Sequence, residues 1–146
     1  MKIDTLNVRY IINGKISVLP TKLFYCVVGE DEWRNIHLDV RVMDQDVQSK
    51  ASDSIEMAIK YLQRELPEGV HIACCQSCRH GHFNPYGDNE NEIFCLNDQK
   101  MRSKDDVVEY FSTAAFLLEE RSRKLLDYCE KYDPICGEKS YTYNDW

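Results

Sequence analysis

The sequence predicts an α+β fold: an antiparallel β-meander of about four strands packed by two helices, with a Cys-rich, zinc-knuckle-like excursion between the helices. Three observations lead there. Apolar residues alternate with a period of two across residues 6–46, punctuated by turn signals. Two later stretches, near 53–66 and 104–131, carry apolar stripes at helical spacing behind capping residues. Six of the seven cysteines lie after residue 73.

In the meander, Leu6, Val8, Tyr10 and Ile12 alternate with polar or mixed residues, and Ile16 and Val18 continue the period beyond Asn13-Gly14. Asn-Gly between two such runs favours a two-residue turn with positive φ at both central positions. Pro20 is expected to interrupt the chain, and the apolar run Leu23–Val28 suits a central strand. Gly29-Glu30-Asp31-Glu32 turns it back. Ile36, Leu38, Val40 and Val42 then alternate with His37, Asp39, Arg41 and Met43, which marks a half-buried strand.

The first helix is expected over 53–66, with Asp53 as its cap and Glu56 completing a capping-box-like pair. Ile55, Ile59, Leu62 and Leu66 form its stripe, and Pro67-Glu68-Gly69 ends it. Val70–Cys74 reads as a short strand opening a Cys-rich insertion over 70–98. The second helix is capped by Ser103, with Asp106 three positions on, and is expected to run unbroken over 104–131. Val107, Phe111, Ala114, Leu118, Leu125, Cys129 and Tyr132 form its stripe, and Pro134 lies beyond it. Residues 132–146 form a tail whose Tyr141, Tyr143 and Trp146 are expected to fold back as an edge strand, ahead of serving as an exposed anchor. No repeat, low-complexity tract or linker divides the chain, so residues 1–146 read as one domain.

Composition narrows the function. With 146 residues, 43% hydrophobic and 29% charged, the chain can bury a core. Eighteen Lys and Arg against 25 Asp and Glu give a net charge of −7. That balance counts against nucleic acid and anionic membrane as partners, because both require a concentrated positive patch. No apolar run approaches the roughly 20 residues of a membrane span. The opening MKIDTLNVRYIING lacks the continuous apolar segment of a signal peptide, so a cytoplasmic location is expected.

The cysteines are Cys26, Cys74, Cys75, Cys78, Cys95, Cys129 and Cys136. Their odd number and the missing export signal argue against a disulfide framework. Cys26, in an apolar run, reads as a small core residue, and Cys74 is expected to face opposite Cys75 into the core. Cys75-Gln76-Ser77-Cys78 is a C-x2-C element, and Cys95 returns after the loop Asn84-Pro85-Tyr86-Gly87. This stretch resembles the first half of a zinc ribbon. The second knuckle is missing, since Leu96-Asn97-Asp98 follows Cys95.

A structural zinc needs four thiolate or imidazole ligands. Cys75, Cys78 and Cys95 supply three, and Cys129 is placed ahead of Cys136 as the fourth, followed by His82 or His80. An iron–sulfur cluster is the alternative to zinc, because four thiolates accept either. Asp88, Glu90 and Glu92 alternate like the start of an EF-hand loop, but Ile93 and Gln99 stand where glycine and the bidentate carboxylate are needed. Nucleotide-binding glycine loops and the nucleophile elbow are absent from the sequence. The expected function is therefore a small cytoplasmic, metal-stabilised binding or accessory module that contacts another protein. The alternative is a zinc- or thiol-dependent enzyme using Cys75, Cys78, His80 and His82.

Overall fold

The computed structural model describes residues 1–87, 91–135 and 141–146. Among these residues it is a mixed α/β structure with three helices. Where the sequence reads as one domain, the structure forms two compact units, Met1–Ala73 and Cys74–Trp146.

The first unit holds β1 (Lys2–Ile12), β2 (Lys15–Val28), β3 (Glu32–Val42), β4 (Gln45–Gln48), helix α1 (Ile55–Glu65) and β5 (Val70–Ala73). They build a five-stranded antiparallel sheet in the order β4-β3-β2-β1-β5. The β1–β2 register closes at Ile12↔Lys15, leaving Asn13 and Gly14 with φ of 49° and 84°. This is the positive-φ turn that Asn-Gly favours. The β3–β4 connection has the same character at Met43 and Asp44, φ 52° and 61°, without a glycine to signal it.

Pro20 does not interrupt the chain; it lies inside β2, opposite Asn7 of β1. Pairing of β2 with β3 starts only at Thr21↔Val40, so the missing proline N–H falls where β2 has one neighbour. The fourth strand is β4, which the alternation pattern did not single out. Helix α1 begins later than expected. Its cap is Ser54, whose Oγ accepts the Met57 N–H at 3.4 Å. Asp53, the expected cap, instead accepts the Asn35 N–H at 2.9 Å.

Side-chain alternation gives this sheet two unlike faces. On one, Val8, Tyr10, Leu23, Ile36, Leu38 and Val40 are buried, and α1 packs across β3 and β4 with Ile55, Ala58, Ile59 and Leu62. Gln63 ties α1 to β5: its Nε2 donates to the Val70 carbonyl at 3.1 Å and its Oε1 accepts the Ile72 N–H at 2.8 Å. On the other face, Ile3, Ile16 and Val18 remain 57%, 52% and 50% exposed.

The second unit begins with a 3₁₀ turn at Cys75–Ser77 and contains β6 (Gly81–His82), β7 (Ile93–Cys95), α2 (Lys104–Thr113), a 3₁₀ turn at Ala115–Leu117, α3 (Leu118–Arg121) and β8 (Ser122–Arg123). Strands β6, β7 and β8 form a small antiparallel sheet in that order. Ser103 caps α2 as expected, accepting the Asp106 N–H at 3.4 Å.

The single helix over 104–131 is corrected: α2 stops at Thr113. Ser112 and Thr113 turn their hydroxyls back onto the Val108 and Glu109 carbonyls, and Ala114 leaves helical geometry at φ −107°, ψ 28°. Farther on, pairing of Phe94 with Ser122 and Ile93 with Arg123 draws the chain into a sheet. Val107 and Phe111 of α2 pack on Phe94, Leu96 and Met101, with Tyr141 and Tyr143 of the tail against the same cluster. The tail folds back as irregular chain, not as the expected edge strand, through hydrogen bonds from Tyr141 N–H to the Met101 carbonyl (3.3 Å) and from Phe83 N–H to the Tyr143 carbonyl (3.0 Å).

Candidate thiol pocket and adjoining cleft

The C-x2-C element forms a tight turn in which the Cys78 N–H donates to the Cys75 carbonyl at 3.3 Å and the Ser77 N–H to the Cys74 carbonyl at 3.0 Å. Ser77 is the keystone. Its Oγ accepts the Cys74 N–H at 3.1 Å and lies 2.9 Å from the Tyr132 hydroxyl.

A second segment, 125–135, is laid against this turn by backbone hydrogen bonds. Cys75 N–H donates to Asp127 (2.7 Å), Gln76 N–H to Leu125 (3.0 Å), and Arg79 N–H to Asp133 (2.7 Å); Ile135 N–H returns to Ser77 (3.1 Å). Cys129 is carried into the neighbourhood by this docking, not by a helix; it lies in irregular chain beyond α3 and is exposed. Cys95 arrives from β7, where it pairs with Gly81 of β6. Gly81 is required there, because a Cβ would meet the Cys75 carbonyl oxygen and the Ile93 side chain.

Cys75, Cys78, Cys95 and Cys129 thus border one pocket, together with Ile93, Tyr128 and Tyr132. Burial holds the inner thiols in their neutral form. Cys74, fully enclosed behind the turn, is pushed up to about 11 by burial. Cys75 is raised by burial and then by the neighbouring Cys74, Asp127, Cys78 and Cys95. For Cys78, burial outweighs hydrogen bonds from the Asp133 and His80 backbones, and Cys95 and Cys129 raise it further.

The expected cofactor is corrected. Among the described residues, no group of three or more His, Cys, Asp or Glu side chains is placed to hold a metal ion. Neither zinc nor an iron–sulfur cluster is therefore assigned to Cys75, Cys78, Cys95 and Cys129, nor to His80 or His82 as the substitute ligand. Sharing the wall of a pocket is a weaker condition than aiming four lone pairs at one point. Cys136, the second choice for the fourth ligand, lies outside the described residues, as do Asp88 and Glu90. Cys26, expected in the core, is half-buried at a bulge in the β2–β3 pairing.

A polar cleft of about 280 Å³ adjoins the pocket, lined by Arg79, His80, His82, Asp98, Lys100 and Tyr141 among others. His80 borders both. His82 is buried, and its Nδ1 accepts the Tyr143 N–H at 3.0 Å, so any ring proton of the neutral form sits on Nε2. Burial, with His80 nearby, lowers its pKa to about 4. Arg79 is buried and committed to structure, with Nε 3.3 Å from Asp133 and Nη2 donating to the Pro134 carbonyl at 3.3 Å.

Sequence reasoning missed the role of Ser77, Arg79 and Tyr132, which hold the turn; it places Tyr132 only on a helix stripe. Polar residues beside a cysteine pair were the available signal, but their partners lie over 50 positions away. The chain matches no known family and no curated protein. Among the described residues, no helix is long and apolar enough to cross a membrane.

Proposed function

We propose that this protein is a binding module that docks another protein chain on the open face of its five-stranded sheet. The observation that supports this reading is the exposure of Ile3, Ile16 and Val18 on the face opposite α1. Ile16 stands directly across from Ile11 with Val18 beside it, which makes one apolar cluster, while Ile3 and Phe24 pair farther along the face beyond Thr5, Lys22, Asn7 and Pro20. Contiguous exposed apolar surface on a folded chain marks an interaction site more often than isolated exposed residues do.

The charged residues on this face support one class of occupant. Arg9, Lys22 and Arg41 share this face with Asp39 and Asp46, a basic balance on a chain whose net charge is −7. A partner presenting an apolar patch with an acidic border fits it. The thiol-enzyme alternative receives less support, since burial keeps Cys75 and Cys78 protonated and so weakly nucleophilic. A cytoplasmic setting belongs to the same proposal.

A photo-crosslinking residue at Val18, with a control on the exposed side of α1 at Glu65, tests it in the full chain. A discrete adduct formed from Val18 but not Glu65, and abolished by Ile16→Glu, supports the reading. Equal labelling from both positions, or an adduct indifferent to Ile16→Glu, overturns it. So does an adduct consisting of two copies of this chain.

A further inference from the structure

The thiol pocket has no part in a docking function of the sheet. Four cysteines border it, yet they differ sharply in access: Cys129 is exposed, Cys75 and Cys95 are half-buried, and Cys78 is buried. An oxidant in solution therefore meets Cys129 first, while the other sulfurs wait behind it. The chain that carries Cys129 is fixed against the turn that carries Cys78. Residues Cys78 and Pro134 form a β-bridge, and Arg79 N–H donates to Asp133. The Tyr132 N–H closes a turn onto the Cys129 carbonyl at 3.1 Å, two residues ahead of that bridge. Consistent with this closeness, Cys129 contributes to the raised pKa of Cys78.

We propose that Cys129 and Cys78 form a peroxide-oxidised thiol pair. The Cys129 sulfur attacks one peroxide oxygen, the O–O bond breaks, and one water leaves, giving a sulfenic acid on Cys129. The Cys78 sulfur then attacks the Cys129 sulfur, expelling the hydroxyl as a second water with the Cys78 proton, and an S–S bond remains. Two electrons pass from the two sulfurs to hydrogen peroxide, which is the oxidant. Burial makes Cys78 a poor nucleophile toward anything in bulk solvent, so proximity selects its reaction partner.

The reduced full-length protein, treated with graded hydrogen peroxide and then alkylated and digested, tests this by mass spectrometry. The expected result is a Cys78–Cys129 linked peptide pair appearing first, reversed by dithiothreitol, with Cys26 still alkylatable. Cys129→Ser replaces an exposed side chain and is expected to fold; it should abolish the linked pair. In Cys78→Ser, Cys129 is expected to pass on to sulfinic acid at the same dose, a readout independent of the linkage. Overturning results are a Cys75–Cys78 disulfide formed equally in Cys129→Ser, sulfinic acid on wild-type Cys129 without a linked pair, or failure of Cys129 to react with either alkylating agent or peroxide.

Discussion

At the scale of single residues, the second unit depends on a few side chains and on one absent side chain. Gly81 lets β6 pass over the Cys75 carbonyl, and any Cβ there collides with backbone that the 125–135 segment already pins. Gly81→Ala is expected to destabilise the protein by about 2 kcal/mol, the range of overpacked cores, as measured by urea unfolding. His82 makes stability depend on pH. Unfolded, it takes up a proton near pH 6.5; folded, only near pH 4. Stability from this residue is therefore complete above pH 6.5 and is lost as pH falls toward 4, up to about 3 kcal/mol. Asn at this position keeps an acceptor for the Tyr143 N–H but cannot titrate. His82→Asn is expected to flatten the slope of unfolding free energy between pH 6.5 and 4, while an unchanged slope assigns it to other groups.

At the scale of elements, local chemistry decides where α1 and α2 start and where α1 stops ahead of Pro67, while tertiary pairing decides the path of the chain after α2. Ser54 satisfies an α1 N–H that has no intrahelical partner, so Ser54→Ala is expected to cost about 1 kcal/mol, with a smaller loss for Asp53→Ala, whose bonds are exposed. Reversal of that order in thermal unfolding places the cap at Asp53 after all. The Asn13-Gly14 turn is a second local device. With Gly14 at φ 84° and open space around its Cα, Gly14→Ala measures backbone strain alone, expected at about 1 kcal/mol. Helix α2 shows the opposite balance. Nothing in Val107 to Cys129 forbids a long helix, but Arg121 is held by Asp98 at 2.7 Å and by the Cys95 carbonyl at 3.1 Å, and β8 follows at once.

At the scale of the whole molecule, each unit has its own buried cluster, and the tail belongs to the second. Tyr141 and Tyr143 pack on the Phe94–Phe111 cluster, and Asn144 Nδ2 donates to the Gln76 carbonyl at 2.6 Å, directly onto the cysteine turn. Removing residues 141–146 is expected to speed amide hydrogen exchange across residues 75–83 and 93–111. Unchanged protection there shows the tail to be dispensable.

What the sequence by itself determined is local. Alternation placed Ile36, Leu38, Val40 and Val42 inward on a strand, Asn13-Gly14 set a hairpin register, and Ser103 began a helix, because each of these is decided within a few residues by sterics and hydrogen bonding. The candidate site was legible only as a membership list. Spacing put Cys75, Cys78 and Cys95 in one neighbourhood and ranked Cys129 with them, and all four do border one pocket. Tertiary structure decided the rest. Cys129 reached the pocket through backbone bonds from residues 125–135 to the turn, in place of a helix, and the thiols met as a lining without forming a ligand set. The physical reason is distance along the chain. A metal site, the path of the chain after Thr113 and the half-buried position of Cys26 all depend on partners many residues away, whose orientation no local pattern encodes.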